Sequence, residues 1–236
     1  MNRYSAKHIF AIVLTLFSVV TMTVLGMWQL SRMGEKEARL ALIEEKQRAG
    51  TAELSGVLNQ QQNIQDWPVT FTGRPDTNKI MLLDNRIVEG KTGYEVLVPV
   101  ETNAGWVIVN AGWIKGHPDR TLPAVHYEGG LQTFSGTISV PGDNPMISET
   151  AKKGQAFPLV VQQIDTQKLS ELTAYPLRHF VIQLDVDNNT PFVRRWQPVV
   201  MSPQKHLGYA LQWFLLALAA SVIGFIVVRR AVKDGQ

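Results

Sequence analysis

Lys205-His206-Leu207-Gly208-Tyr209-Ala210-Leu211-Gln212-Trp213-Phe214, continued without a charge to Val228, decides the architecture of this chain. From Gly208 to Val228 it supplies the roughly 20 apolar residues an α-helix needs to cross about 30 Å of hydrocarbon. A second such run, Ile9 to Met27, lies near the other end. The two read as membrane spans with a large domain between them. The ionisable residue at the head of the second span, His206, is the one that needs explaining.

Charge agrees with this layout. Of the 23 basic residues, Arg3, Lys7, Arg229, Arg230 and Lys233 lie outside the spans, opposed by Asp234 alone among the 20 acidic residues, which leaves 18 against 19 in the middle. The pI near 9.2 is therefore set by the tails and not by a nucleic-acid surface. Basic tails favour the cytoplasm. The expected organisation is a cytoplasmic tail (1–8), a span (9–29), a periplasmic β-rich domain with a helical stem (30–205), a second span (206–228) and a cytoplasmic tail (229–236). The first apolar stretch exceeds the 7–15 residues of a signal peptide and no A-x-A-like site precedes Trp28, so it reads as an uncleaved anchor. Without an Arg/Ser-rich amphipathic leader, the expected setting is a bacterial inner membrane.

The chain has no Cys. That removes disulfides and any thiolate copper, zinc or iron–sulfur site, while a middle domain of this size is large enough for an ordinary core. The seven Met are dispersed, with no repeated Met-x-x-Met pattern.

Ser31 to Arg48 sets Met33, Leu40 and Ile43 among Glu, Lys and Arg, a solvent-facing helical stem that Gly50 stops. Eight β-like runs follow: Val69–Gly73, Ile80–Asp84, Tyr94–Val100, Trp106–Trp113, Gln132–Val140, Leu159–Gln163, Phe180–Asp185 and Phe192–Val200. One short helix is expected at Asp165–Thr173, with Asp165 as its cap. So many strands with so little helix predict a mostly antiparallel barrel or sandwich, giving an α+β membrane protein in all.

Enzyme signatures are missing: no G-x-S-x-G elbow, glycine-rich phosphate loop or H-E-x-x-H helix is present, which argues against a tethered hydrolase. His117, His126 and His179 stand alone, each an ordinary histidine on this pattern. Asn188-Asn189-Thr190 has the form of a glycosylation acceptor, but in a bacterial protein it is an ordinary loop. Asp84-Asn85-Arg86, with Gly90, Gly93 and Tyr94, admits two readings. Turn chemistry accounts for the Asp, Asn and Gly, whereas Arg86 as a planar donor suits a haem propionate or a partner's carboxylate.

At the membrane boundary, Tyr209, Ala210, Trp213, Ala217 and Gly224 fall within about 60° of His206 on an ideal helix. Thr15, Val19, Met22 and Gly26 form a comparable small face on the first span, and in an antiparallel pair Trp28 and Gln29 reach the depth of His206, Tyr209 and Gln212. Trp28, Tyr209 and Trp213 are explained as interfacial anchors. Gln29, Gln212 and His206 need partners or a cavity. Interfacial hydrogen bonding would satisfy His206, and so would ligation of haem iron by a neutral imidazole.

Four motifs carry a resemblance across essentially the whole chain: Leu25-Gly26-Met27-Trp28-Gln29-Leu30-x-Arg32, Leu83-Asp84-Asn85-Arg86 with Gly93-Tyr94, Val109-Asn110-x-Gly112-Trp113, and Pro203-x-Lys205-His206-Leu207-Gly208-Tyr209-Ala210-x-Gln212-Trp213-Phe214. In this order they resemble the surfeit locus protein family of cytochrome c oxidase assembly factors. The family commonly has Arg where this chain has Ala111, so a role of that arginine does not carry over. The resemblance implies a non-enzymatic factor that assists haem a delivery or insertion into cytochrome c oxidase subunit I, with haem a as a transient cofactor and His206 as the matched candidate iron ligand. Tyr209, Gln212, Trp213, Trp28 and Gln29 are the expected neighbours of such a haem. Haem a synthase and the lipid bilayer are the other expected partners. The alternative is a membrane scaffold that steadies an oxidase intermediate without touching haem.

Overall fold

The structure is a computed structural model describing residues 6–142, 144–187 and 190–234. Arg3, Asn188 and Asn189 lie outside the described residues. The chain forms two compact units, Met1–Leu42 with Pro198–Gln236, and Ile43–Gln197.

The first unit is built on helices α1 (Ala6–Arg48) and α4 (Pro203–Asp234). Both are long and apolar enough to cross a membrane. α1 continues without a break through the charged Ser31–Arg48 segment, and Gly50 follows its end at φ 86°, a conformation that favours glycine.

The second unit contains β1 (Ala52–Glu53), α2 (Leu54–Gln60), β2 (Pro68–Pro75), β3 (Met81–Val88), β4 (Lys91–Thr102), β5 (Gly105–Lys115), β6 (Gln132–Ser139), β7 (Leu159–Val161), α3 (Thr166–Thr173) and β8 (Leu177–Leu184). Strand order is β1-β2-β6-β8-β5-β4-β3-β7, and an additional β2–β4 pairing closes β2, β6, β8, β5 and β4 into a ring. The closing seam is short, pairing Gly73, Arg74 and Pro75 with Thr102, Glu101 and Val100. β4 divides that edge between two partners, because its earlier residues pair with β3. Most pairings are antiparallel; β1–β2, β3–β7 and β5–β8 are parallel.

Alternation of side chains across the strands creates two cores. Val96, Val98, Val107, Val109, Phe134 and Ile182 belong to the larger cluster inside the barrel. Their sequence neighbours Leu97, Ile108 and Val181 join Met81 and Leu83 in a second cluster, covered by Leu169 and Leu172 of α3. β4 and β5 are thus buried on both faces, which is why Val96–Val100 and Trp106–Trp113 read as near-continuous apolar runs.

Asp165 caps α3 as expected, accepting hydrogen bonds from the N–H groups of Gln167 at 3.0 Å and Lys168 at 3.1 Å. At the other end Lys79 Nζ donates to the Thr173 carbonyl and lies 3.8 Å from the centre of the Tyr175 ring. Tyr175 stacks on Trp106 and donates its hydroxyl to Asp76 Oδ2 at 2.7 Å. That hydrogen bond to Asp76 is the main reason its phenol is pushed up from 10.0 to about 12. The folded state therefore holds this proton more tightly than the unfolded state, and the associated stability is complete below pH 10 and lost as pH rises towards 12. Spectrophotometric titration should show a late tyrosine that Asp76→Asn returns towards the ordinary range.

One expected strand is corrected. Phe192–Val200 pairs only as an isolated bridge between Val193 and Trp113. Side chains secure the rest of that crossing in place of a ladder. Arg194 donates from Nε to the Ala111 carbonyl and from Nη1 to the Asp185 carbonyl, and Trp196 Nε1 donates to the Leu184 carbonyl. α2 and the two-residue β1 were not expected; both are too short to leave a periodic signature.

Candidate functional site

α4 begins where Pro203 can begin a helix without wasting a donor, since the first N–H groups of a helix have no internal partner. The N–H groups of Lys205 and His206 bond the Ser202 carbonyl at 3.1 and 3.4 Å. From there His206, Ala210 and Ala217 are buried on one face of the helix, with Trp213, Phe214 and Gly224 half-buried. Thr15, Val19, Met22, Gly26 and Gln29 form the covered face of α1.

Two glycines permit the close approach of these faces. A Cβ on Gly26 would stand 2.6 Å from the Phe214 ring, and one on Gly224 would stand 2.5 Å from Thr15 Cγ2. The contacts run in opposite directions along the two helices, so the pair is antiparallel. Small residues at the crossing are a recurring means of bringing membrane helices together.

At the head of this pair, His206 Nδ1 lies 2.7 Å from Gln29 Oε1. The carbonyl oxygen can only accept, so Nδ1 carries the proton and donates it. His206 is 8 % exposed, and its Nε2 is buried with no hydrogen-bond partner. With Nδ1 donating in this way, the neutral form of the ring keeps its lone pair on Nε2, the tautomer of a histidine that ligates metal through Nε2.

The other expected neighbours divide. Trp213 is half-buried on the covered face of α4. Tyr209 and Trp28 are 46 % and 49 % exposed, and Gln212 is exposed as well. Trp28 has the Arg32 guanidinium 5.5 Å from its ring centre, on the outer surface of α1. The structure thus joins Gln29 to His206 directly and turns Trp28, Tyr209 and Gln212 outward.

The motifs of the barrel unit converge on a separate polar network across β3, β4 and β5. Asp84 and Asn85 form the irregularity in the β3–β4 register: Asn85 has φ 58° and its N–H donates to Asp84 Oδ1 at 2.7 Å. This is the turn-chemistry role. Arg86 Nε lies 3.8 Å from Glu95 Oε2, which accepts from Asn110 Nδ2 at 2.8 Å. Asn110 is 1 % exposed, and its Oδ1 accepts from the Gly112 N–H at 3.2 Å. Trp113 Nε1 returns to the Arg86 carbonyl at 2.9 Å. Gly93 leaves room for the Trp113 indole, since a Cβ there would stand 2.6 Å from that ring.

Trp113 is 8 % exposed, so its first role is to hold three strands together. Arg86 keeps 42 % of its side chain exposed and can still meet a partner. Ala111, at the place where the resemblance would put arginine, is fully buried in the barrel cluster. Sequence reading did not single out Glu95, although an acidic residue between Tyr94 and Val96 in an apolar strand was its signal. Of the lone histidines, His179 has Nδ1 2.6 Å from Thr166 Oγ1. His117 and His126 are exposed.

Comparison with known proteins agrees over nearly the full length. An uncharacterised SURF1-like protein of Mycobacterium bovis is 26 % identical over 246 residues, covering 96 % of this chain and 87 % of its own length. SURF1-like proteins of Rickettsia bellii and Rickettsia felis are 22 % and 25 % identical, covering 93 % and 91 % of this chain and 90 % and 96 % of their own lengths. The pattern of the SURF1 family matches residues 16–218, taking in parts of both apolar helices, the barrel and the four motifs; the chain belongs to the SURF1 family, a family of cytochrome oxidase assembly factors.

Proposed function

We propose that this chain assists haem a delivery or insertion into subunit I of cytochrome c oxidase, as a non-enzymatic carrier that holds the haem through His206. The buried, unpartnered Nε2 of His206 carries this reading. An imidazole whose only need was an interfacial hydrogen bond would be satisfied by Gln29 at Nδ1 and free to leave Nε2 in water; here Nε2 is withdrawn from water without compensation.

In this reading α1 and α4 cross a bacterial inner membrane, the basic tails remain cytoplasmic, and the barrel lies in the periplasm. His206 would hold the iron, and Trp213 on the same helix face would cover the porphyrin; Tyr209, Gln212 and Trp28 would meet its edge or the lipid. Haem a, when bound, is cargo destined for the oxidase and supplies no chemistry to this chain. Haem a synthase is the source from which it would be received. A single protein imidazole would be suited to reversible holding, since one ligand is readily exchanged for a partner's.

The test is spectroscopic. Protein purified from a host that makes haem a should show a haem a spectrum that His206→Ala abolishes, with a matching fall in the haem a content of the oxidase. If the variant keeps both, the carrier reading is wrong.

Arg86 favours a second reading, a scaffold that docks an oxidase intermediate without touching haem. Its Nε is buried 3.8 Å from Glu95 Oε2, while 42 % of the side chain stays exposed and open to a partner's carboxylate. Under that reading Arg86→Ala would reduce co-purification with subunit I while His206→Ala would not.

A further inference from the structure

We propose that Gln29 is a positioning residue for His206: by accepting the Nδ1 proton it fixes the imidazole tautomer, so that Nε2 is the nitrogen left to bind metal. This deepens the haem reading and rests on it. Three observations lead here. Gln29 Oε1 is 2.7 Å from Nδ1, a short contact for a neutral pair. Nε2 is buried without a partner, so the free lone pair sits on the nitrogen that nothing in the protein uses. Three residues before Gln29, Gly26 brings α1 against Phe214 of α4, which fixes where the amide can reach.

A histidine alone in solution exchanges its proton between the two nitrogens, and only one form can ligate through Nε2. Holding the proton at Nδ1 keeps that form populated and orients the ring before the ligand arrives. Partners that do this for metal-bound histidines typically contribute about 10–100-fold in metal affinity. A glutamine achieves it without adding a charge beside the apolar run of α1, where a carboxylate would be costly.

The experiment uses the full chain in detergent, labelled with 15N-histidine, in mildly alkaline buffer where imidazole is neutral. Long-range 1H–15N correlation of the His206 ring, assigned by its loss in His206→Ala, reports which nitrogen is protonated before any haem is added. Ferric protohaem is then titrated as the probe. The wild type should be protonated at Nδ1. Gln29→Leu should shift the proton towards Nε2 and weaken protohaem binding by about tenfold or more. Gln29→Glu, which still accepts from Nδ1, should keep the wild-type tautomer, a rescue that a packing role alone would not give. A wild-type ring protonated at Nε2 overturns the proposal, as does an Nδ1–H tautomer that survives in Gln29→Leu. If the tautomer responds as expected but protohaem binds equally well to His206→Ala, the haem reading fails while the Gln29–His206 coupling stands.

Discussion

Gly112→Val is expected to destabilise the barrel by about 4 kcal/mol, combining backbone strain with overpacking. Gly112 has φ 124°, and a Cβ there would stand 2.9 Å from Phe192 Cβ and 3.0 Å from the Val193 carbonyl oxygen. The residue lies at the register shift where Val96 faces Gly112 but Leu97 faces Asn110, leaving Ala111 as the extra residue of β5. A branched side chain at this point would push away the segment that forms the Trp113–Val193 bridge. Two other glycines separate the contributions. Gly90 has φ 74° and open space around it, so Gly90→Ala carries strain alone, about 1 kcal/mol. Gly93 has no positive φ, yet a Cβ would stand 2.2 Å from the Ile114 carbonyl oxygen, so Gly93→Ala carries the steric cost alone. Urea unfolding of the full chain, followed by tryptophan fluorescence, measures all three. A Gly112→Val chain as stable as wild type would mean that β5 does not bulge there.

Gly26→Leu should separate the helix pair and abolish the Gln29–His206 hydrogen bond with it. The obstructing atoms belong to the Phe214 ring of α4, so a leucine side chain is accommodated only if the helices part or that ring swings aside. The absence of native cysteine makes the result simple to read. A Cβ on Gly224 would lie 3.4 Å from Thr15 Cβ, close to the spacing of about 3.5–4.5 Å that a disulfide spans. The doubly substituted chain Thr15→Cys, Gly224→Cys should therefore cross-link under mild oxidation. Adding Gly26→Leu should reduce the cross-link severalfold. An unchanged yield would show that the crossing tolerates a bulky residue and that Gly26 does not set it.

Much of this architecture was legible in the sequence. Uninterrupted apolar length identified α1 and α4, and Asp165 marked the start of α3. Seven of the eight expected strands appear, because alternating or continuous apolar runs bounded by Gly, Pro and Asp are a local property. What is not local could not be read. Nothing in Gly73-Arg74-Pro75 announces that it closes a ring with Val100-Glu101-Thr102. Phe192–Val200 has the composition of a strand, but Arg194 and Trp196 use side chains to bond the main chain of β8 and its neighbours, so the ladder never extends. At the helix heads, the antiparallel pairing placed Gln29 level with His206. A face within about 60° was too wide a criterion for Tyr209: the covered side follows His206, Ala210 and Ala217, which turns Tyr209 outward.

The position of β8 has a consequence for biosynthesis. This strand lies between β5 and β6, pairing in parallel with one and antiparallel with the other. Trp106 of β5 waits for Leu177, and Ile108 waits for Val181. Until the ribosome has delivered residues up to Leu184, both of those edges stand open, and open strand edges recruit other chains. The wall is finished by its last piece, so a product ending before residue 177 is not a smaller barrel but an unsealed one, a natural substrate for quality-control proteases.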